Sequence, residues 1–240
     1  MTQEKLYEGK AKIIYKTPNS EELIQYFKDD ATAFNNQKKS SLASKGILNN
    51  YISAFIMQIM SEANIPNHFI KRIDNRRQLI KNLKIIPLEV IVRNIAAGSF
   101  CKRLAYPEGK LLPKTLIEFC LKDDALGDPI ITEDHIEILA IAEIAEIALI
   151  KEITLKINKI LTNLFLDAGI KLIDFKIEFG RNQNGDIFLA DEISPDSCRL
   201  WDNISNEKMD KDRFRLDLGD VIEYYKLIAK KLNITNIDYA

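Results

Sequence analysis

The sequence predicts an α+β fold in which a small antiparallel-sheet unit precedes a larger α/β unit. Three observations carry that prediction. KLYEGKAKIIYKT, near the start, reads as a strand, a glycine-centred turn and a second strand. Two long helical stretches, from Leu42 to Ala63 and from Thr132 to Asp167, are each flanked by strand-like runs. Those strands fall before and after the helices without a regular strand–helix–strand rhythm, which points to segregated sheets and helices. Between Arg76 and Pro87 charged character gives way to apolar, so a hinge is expected near Leu83, with residues 1–83 forming the first unit and 84–240 the second.

Taken in order, EELIQYF reads as a short helix or the lead into one. From Leu42 to Ala63, residues Ile47, Leu48, Tyr51, Ile52, Phe55, Ile56, Ile59 and Met60 recur at steps of three and four, the stripe of a helix with one buried face. Pro66 closes that stretch, because the residue before a proline is pushed out of helical geometry. NLKIIPLEVIVRNIA is rich in β-branched residues and reads as a strand, whereas YPEGKLLPK and LKDDALGDP read as polar loops. Thr132 is an N-cap, with Glu133 and Asp134 in the first turn where negative charge is favoured. Helical spacing then runs, with one break, to Asp167, and Gly169 stands where a left-handed C-terminal cap would be. LIDFKIEFG and DIFLADEI are strands, a long polar segment follows, and VIEYYKLIAKKL closes as an amphipathic helix.

Composition narrows the function. Of 240 residues, 46% are hydrophobic and 29% charged, with a net charge of −1, so bulk electrostatics favour neither nucleic acid nor an acidic membrane. Any anion must be held by local clusters. Cys101, Cys120 and Cys198 are scattered, with no CxxC pair, which suits reduced thiols. The start, MTQEKLYEGK, has no signal-type apolar core, and the apolar region from Ile136 to Ile150 is interrupted by Glu137, Glu143 and Glu146. A cytoplasmic protein is expected.

LIDFKIEFG alternates strictly: Ile173, Phe175, Ile177 and Phe179 fall on one face, Asp174, Lys176 and Glu178 on the other. Asn184-Gly185 signals a two-residue type I′ hairpin, which sets Gln183 opposite Asp186 and therefore Glu178 opposite Asp191. Facing carboxylates repel. Full solvation, a shared proton or a bridging cation would relieve them, and Mg²⁺ typically uses one or two carboxylates plus substrate phosphates. A four-residue loop would instead set Lys176 opposite Asp191 as a plain salt bridge. On the hairpin alone both readings stand, beside that of an ordinary wet face.

Other segments bear on the choice. EGKAK combines a Gly9 turn with Lys10 and Lys12, an arrangement that can cradle an anion but also describes a basic edge hairpin. VRNIAAGSF joins Arg93 to a small-residue turn with Gly98 and Ser99, suited to a phosphate or carboxylate, or simply a turn after a buried strand. LKDDALGDP gathers Lys122, Asp123, Asp124 and Asp128; Arg199 follows the second carboxylate strand; KMDKDRFR adds Lys208, Lys211, Arg213 and Arg215, a charge run of the kind usually found on solvated faces. His68 and His135 are isolated, and neither GxSxG, HRD nor DFG occurs.

LYEGKAK, PLEVIVRNIAAGS, LKDDALGDP, LIDFKIEFG, DEISPDSCRLWD and KMDKDRFR together, in this order and across nearly the whole chain, resemble the SAICAR synthetase family of purine biosynthesis. The resemblance implies an ATP-dependent ligase that joins L-aspartate to the carboxylate of carboxyaminoimidazole ribonucleotide (CAIR) through an acyl phosphate, giving SAICAR, ADP and phosphate. It implies a nucleotide-covering N-terminal sheet domain similar to those of kinases and ATP-grasp enzymes, a larger C-terminal domain for metal and substrates, and a homo-oligomer, dimer or larger. Position by position, Gly9, Lys10, Ala11 and Lys12 are implied as the triphosphate loop, and Ile80, Lys81 and Leu83 as the backbone that meets adenine. Lys122 is implied on the phosphate side, and Glu178 and Asp191 as ligands of Mg²⁺ and nucleotide. Arg93, Ser99 and Arg199 are implied to grip the ribonucleotide phosphate, Asp174 its ribose and Lys176 its carboxylate, with Lys211 and Arg215 on the acidic cosubstrate; Lys176 and Arg93 are the implied catalytic pair. Cys198 departs from the small hydroxyl residue usual before that arginine and, if exposed, would be open to thiol reagents. A small-molecule kinase and a non-catalytic ATP-binding regulator are the alternatives.

The chemistry explains the residue types. A carboxylate does not react with an amine until phosphoryl transfer converts it to an acyl phosphate, and that transfer needs positioning and charge neutralisation more than a protein nucleophile. Every participant is anionic, so a near-neutral chain has to gather lysine, arginine and Mg²⁺ in one cleft.

Overall fold

The computed structural model describes residues 4–33 and 37–239. The first part of the chain runs β1 (Lys5–Glu8), β2 (Lys12–Lys16), β3 (Glu22–Phe27), β4 (Asp30–Ala33), β5 (Lys38–Ser41), α1 (Lys45–Glu62), β6 (Phe69–Arg72) and β7 (Arg77–Lys81). It continues with β8 (Lys84–Ile95), α2 (Gly98–Leu104), β9 (Leu111–Leu121), β10 (Ile130–Ile131), α3 (Glu133–Ile138) and α4 (Ile144–Asp167). Last come β11 (Ile170–Arg181), β12 (Ile187–Ala190), β13 (Cys198–Asp202), α5 (Asp212–Arg215) and α6 (Val221–Lys231). All strand ladders among these elements are antiparallel. The fold is α+β, with a five-stranded sheet ordered β1-β2-β3-β7-β6 and a six-stranded sheet ordered β10-β9-β8-β11-β12, in which β13 also pairs with β11.

EELIQYF is a strand, not a helix. Its pattern is ambiguous in isolation, and pairing decides it: β3 lies between β2 and β7, with Ile14 opposite Gln25 and Gln25 opposite Gln78. The LLPK end of YPEGKLLPK opens β9, the turn after Arg93 becomes helix α2, and CRLWD forms β13, because each of these short stretches finds a ladder or a turn partner that only the folded chain provides. The caps behave as their residues require: the Thr132 hydroxyl accepts from the His135 amide, and Gly169 stands at φ 69° beyond α4.

One apolar core joins the parts. Leu48, Ile52, Ile56 and Met60 of α1, Ile150, Ile157 and Leu161 of α4, Val90 and Val92 of β8 and Phe175, Ile177 and Phe179 of β11 all belong to it. Ile173 does not. A register shift between Leu172 and Asp174 turns the face of β11 over, so Ile170 and Leu172 point into the main core while Ile173 packs with Ala97 and Trp201. Among the described residues no helix is long and apolar enough to cross a membrane.

The start of α1 is fastened to the end of β3. Gly46 donates its amide to Asp29 Oδ1 at 2.9 Å, and a Cβ placed on Gly46 would lie 2.4 Å from the Phe27 carbonyl oxygen and 2.9 Å from that of Lys28. Both obstacles are backbone and cannot swing away. Gly46→Ala is expected to lower unfolding free energy by about 1–3 kcal/mol; a urea midpoint equal to that of the unchanged protein would show that the helix start has more room than this.

Candidate active site

Two adjoining clefts lie between the sheets. The first, of about 330 Å³, is roofed by Lys12, Ile14, Leu23, Gln25 and Ile80 and floored by Glu89, Lys176, Glu178 and Asp191. The second, of about 360 Å³, is lined by Arg93, Ser99, Asp174, Arg199 and Arg215. Lys10, Glu89, Lys176, Asp196, Ser197 and Lys211 line both. The residues that the resemblance implied as site residues line one cleft or both: Gly9, Lys10, Ala11, Lys12, Ile80, Lys81, Leu83, Lys122, Glu178 and Asp191 the first, Arg93, Ser99, Asp174, Lys176, Arg199, Lys211 and Arg215 the second, whereas Gly98, Asp123, Lys208 and Arg213 line neither.

The floor is built from two neighbouring strands in register. Glu89 stands opposite Glu178 and Arg93 opposite Asp174, so one face of β8 carries Glu89, Ile91 and Arg93 beside Glu178, Lys176 and Asp174 of β11. This row is not a wet face, since Asp174 and Glu178 are 4% and 3% exposed. The opposed carboxylates are the neighbouring-strand pair Glu89 and Glu178, a contact the sequence reading missed. Lys176 Nζ resolves it, lying 3.1 Å from Glu89 Oε1, 2.9 Å from Glu178 Oε1 and 3.4 Å from Asp191 Oδ2. Burial works against the charge on Lys176, but Glu178, Asp191 and Glu89 outweigh it and raise the lysine well above its ordinary pKa.

Glu178 and Asp191 meet, although not through the expected register. The hairpin pairs Glu178 with Ala190 and Arg181 with Ile187, one residue out of step with a two-residue type I′ turn. The Asn182 side chain is the reason: its Oδ1 accepts from the amides of Asn184 and Asp186 at 2.9 Å each, closing a longer turn, and Gly185 alone of the Asn184-Gly185 pair has positive φ. A one-residue slip would carry Asp191 to the far face. Instead Asp191 lies past the end of β12 with φ 63°, and that left-handed bend returns its carboxylate to the cleft. There it accepts from Lys12, and Lys12 also lies 3.0 Å from Glu192 Oε1. Burial alone would raise the Asp191 pKa; Lys12, Lys176 and Lys122 together pull it far below the usual carboxylate range. Lys122 donates to Glu178 from the opposite side.

Polar loop residues hold these groups in place. Asp123 Oδ1 accepts from the Ala125 amide at 2.9 Å, and Lys10 reaches Asp124 at 2.6 Å, tying the glycine turn to the Lys122 loop. In the second cleft Asp174 Oδ2 accepts from Arg93 and Arg199 at 2.9 Å each. Arg93 also donates to Glu118 Oε2 at 2.7 Å and to Ser99 Oγ at 3.1 Å, and Arg199 to Asp212 Oδ2 at 2.7 Å. At Gly98, with φ 56°, a Cβ would lie 2.4 Å from the Arg199 guanidinium, so a side chain there would push that group out of its place.

KMDKDRFR is no solvated face: Asp210, Asp212 and Arg213 are buried, and Asp212 bridges Arg199 and Arg215. Lys211 is held 3.6 Å from Asp196, whose other partners are Lys45 at 2.7 Å and the Tyr225 hydroxyl at 2.6 Å. Burial lowers the Lys211 pKa, and the charges of Lys45 and Arg215 add to that against Asp196. Cys198 is 3% exposed, and burial pushes its thiol pKa up, so the reactivity expected of an exposed thiol at this position does not arise. His68 is no incidental surface residue. It is 3% exposed, lines the first cleft, and burial brings its pKa down to about 4. Nothing in its sequence neighbourhood signals this, whereas Glu89 could have been found by extending the alternation of Glu89, Ile91 and Arg93 along the strand. Among the described residues no group of three His, Cys, Asp or Glu side chains forms a metal cage.

The model of the SAICAR synthetase family matches residues 5–232 of this chain. Phosphoribosylaminoimidazole-succinocarboxamide synthase 1 of Caulobacter vibrioides is 56% identical over 235 residues, covering 97% of this chain and 93% of its own. A phosphoribosylaminoimidazole-succinocarboxamide synthase structure from Ehrlichia chaffeensis superposes with a TM-score of 0.95 at 51% identity, covering 97% of this chain and 100% of that one. A type-2 SAICAR synthetase solved in complex with ADP superposes with a TM-score of 0.92 at 47% identity, covering 95% of this chain and 97% of its own. Sequence and architecture thus agree over nearly the whole chain, and the chain belongs to the SAICAR synthetase family, ATP-dependent carbon–nitrogen ligases of purine biosynthesis.

Proposed function

We propose that the first cleft holds ATP, the second holds CAIR, and the wall they share is where phosphoryl transfer and L-aspartate attack take place. The observation that carries this reading is the shared wall: Lys10, Lys176 and Lys211 face both clefts, so groups bound in each would meet over the same cations. The ADP of the related type-2 structure supports a nucleotide here. Residues 1–83 then act as the nucleotide-covering part and 84–240 as the part that carries the substrates.

A CAIR carboxylate oxygen attacks the γ-phosphorus of ATP as the bond to the β–γ bridging oxygen breaks, releasing ADP and leaving an acyl phosphate. The aspartate amine attacks the acyl carbon, the carbon–oxygen bond to phosphate breaks, and the amine loses its proton, giving the amide and inorganic phosphate. Lys10 and Lys12 on the roof and Lys122 on the loop neutralise the triphosphate. Lys176 orients the reacting carboxylate. Arg93, Ser99 and Arg199 bind the ribonucleotide phosphate, for which a guanidinium fork is the natural partner, and Lys211 and Arg215 bind the aspartate carboxylates.

Glu178 and Asp191 suit Mg²⁺. They are hard oxygen donors that converge on Lys176, and Mg²⁺ typically takes one or two carboxylates and completes its shell with phosphates and water. When bound, Mg²⁺ supplies charge neutralisation of the phosphates. Cytoplasmic placement and a homo-oligomeric assembly belong to the same reading.

The deciding experiment is a coupled assay of purified protein, in which ADP and phosphate should form with ATP, Mg²⁺, CAIR and L-aspartate together. A stable phosphorylated product without aspartate consumption would instead identify a kinase. Asp191→Asn should weaken Mg²⁺-dependent nucleotide binding roughly 10- to 100-fold while the chain still melts cooperatively; unchanged calorimetric affinity would remove Asp191 from the site. In Gly98→Ala the new methyl would displace the Arg199 guanidinium, so the KM for CAIR should rise about tenfold or more with ATP binding unaltered; parallel loss of both affinities would mean that the whole cleft had collapsed.

A further inference from the structure

We propose that Lys45 and Tyr225, which line neither cleft, are positioning residues for the acidic cosubstrate: they hold the Asp196 carboxylate from behind and so leave the Lys211 ammonium free to turn to a carboxylate entering the cleft. The inference rests on the reading of Lys211 as a ligand of the L-aspartate carboxylates.

Asp196 belongs to the segment between β12 and β13 and lines both clefts, as Lys211 does. Its backbone is fixed, because its amide donates to Ser194 Oγ at 3.1 Å and that hydroxyl donates to Glu192 Oε2 at 2.6 Å. Behind the clefts, Tyr225 of α6 donates to Asp196 Oδ1 at 2.6 Å and Lys45 of α1 to Oδ2 at 2.7 Å. On the cleft side, Lys211 Nζ lies 3.6 Å from the same Oδ2, beyond hydrogen-bonding distance. Each carboxylate oxygen thus has a short bond from behind, and Lys211 is attracted to Asp196 without being bonded to it. Lys45 and Lys211 lie against one oxygen, so their charges repel, which favours turning Lys211 away when an anion is offered.

The helix start does not itself call for a charge at position 45. Lys45 opens α1, where the helix dipole disfavours a cation, and the first turn of α1 carries no acidic residue. The side chain is 1% exposed, and an apolar one would be less costly to bury there. Its charge serves Asp196. The Lys211 amide donates to the Pro195 carbonyl at 3.1 Å, so the Lys211 backbone is tied to the same turn and only its side chain has to move. Without Lys45, Asp196 would draw Lys211 into a direct ion pair, which the cosubstrate would have to break before it could bind.

Steady-state kinetics with ATP, Mg²⁺, CAIR and L-aspartate test this. Lys45→Met should raise the KM for L-aspartate about tenfold or more, with kcat changed less than KM and the affinity for ADP unaltered. Adding Asp196→Asn, which removes the charge that captures Lys211, should bring that KM most of the way back, an effect that a merely structural role of Lys45 would not produce. An unchanged KM in folded Lys45→Met, or no recovery in the double variant, overturns the inference. Lys211→Met separates it from the reading beneath it. A KM for L-aspartate unchanged in Lys211→Met removes Lys211 from the cosubstrate site, and the inference falls with it. A raised KM there, beside an unchanged one in Lys45→Met, leaves the site standing and overturns the inference alone. Should Lys45→Met fail to fold, Tyr225→Phe decides in its place: a KM for L-aspartate raised about two- to fivefold is expected, and an unchanged one overturns the role of the contacts behind Asp196.

Discussion

A lysine held among carboxylates of two adjacent strands is the interaction on which the cleft depends. Glu89 and Glu178 stand directly opposite one another, a like-charge arrangement that disfavours the pairing of β8 with β11. Those strands occupy the middle of the larger sheet, and their other faces, through Val90, Val92, Phe175 and Ile177, build the core. Charge balance above the sheet and packing below it are therefore borne by the same backbone. Lys176 supplies the balance by touching Glu89, Glu178 and Asp191 at once, with Lys122 and Lys12 completing it at the edges.

The arginine half of the site follows the same rule with the signs reversed. Arg93 and Arg199 converge on one oxygen of Asp174, and the remaining donors are shared with Glu118, Ser99 and Asp212. Two guanidinium groups this close would repel without the carboxylate between them. Glycine at position 98 gives Arg199 the room to lie flat beside the start of α2, so the polar cluster is held in position by the absence of a side chain as well as by ion pairs.

Much of this was legible in the sequence. The strand–glycine–strand start, the two long helices, the Thr132 cap and the Gly169 cap depend on residues within a few positions of one another, where local chemistry decides. What local chemistry does not decide was misread or missed. EELIQYF is a strand because β2 and β7 flank it. Ile173 leaves the main core because β13 imposes a bulge. The hairpin register turned on the Asn182 side chain rather than on Asn184-Gly185, and the two carboxylates still meet because a left-handed Asp191 undoes the slip. Glu89 and His68 escaped notice for a related reason. Each acquires its place only from strands that the fold brings beside it, β11 for the first and β7 with β12 for the second, and a single charged or aromatic residue carries no periodic signal.

The ion pairs that cross the cleft also set how it must open to a ligand. Lys12 on the roof bonds Asp191 on the floor, so a carboxylate suited to a metal is held by a lysine suited to phosphate, and Lys10 on the glycine turn bonds Asp124 on the opposing loop. An incoming polyphosphate alone would take the lysines and leave buried carboxylates uncompensated; a divalent cation alone would take the carboxylates and leave buried ammonium groups facing one another. Arriving together, the two exchange every pair at once and strand neither set. On the proposed reading, charge balance across the cleft therefore favours nucleotide and metal entering together, with the lysine side chains passing from carboxylate to phosphate as they do.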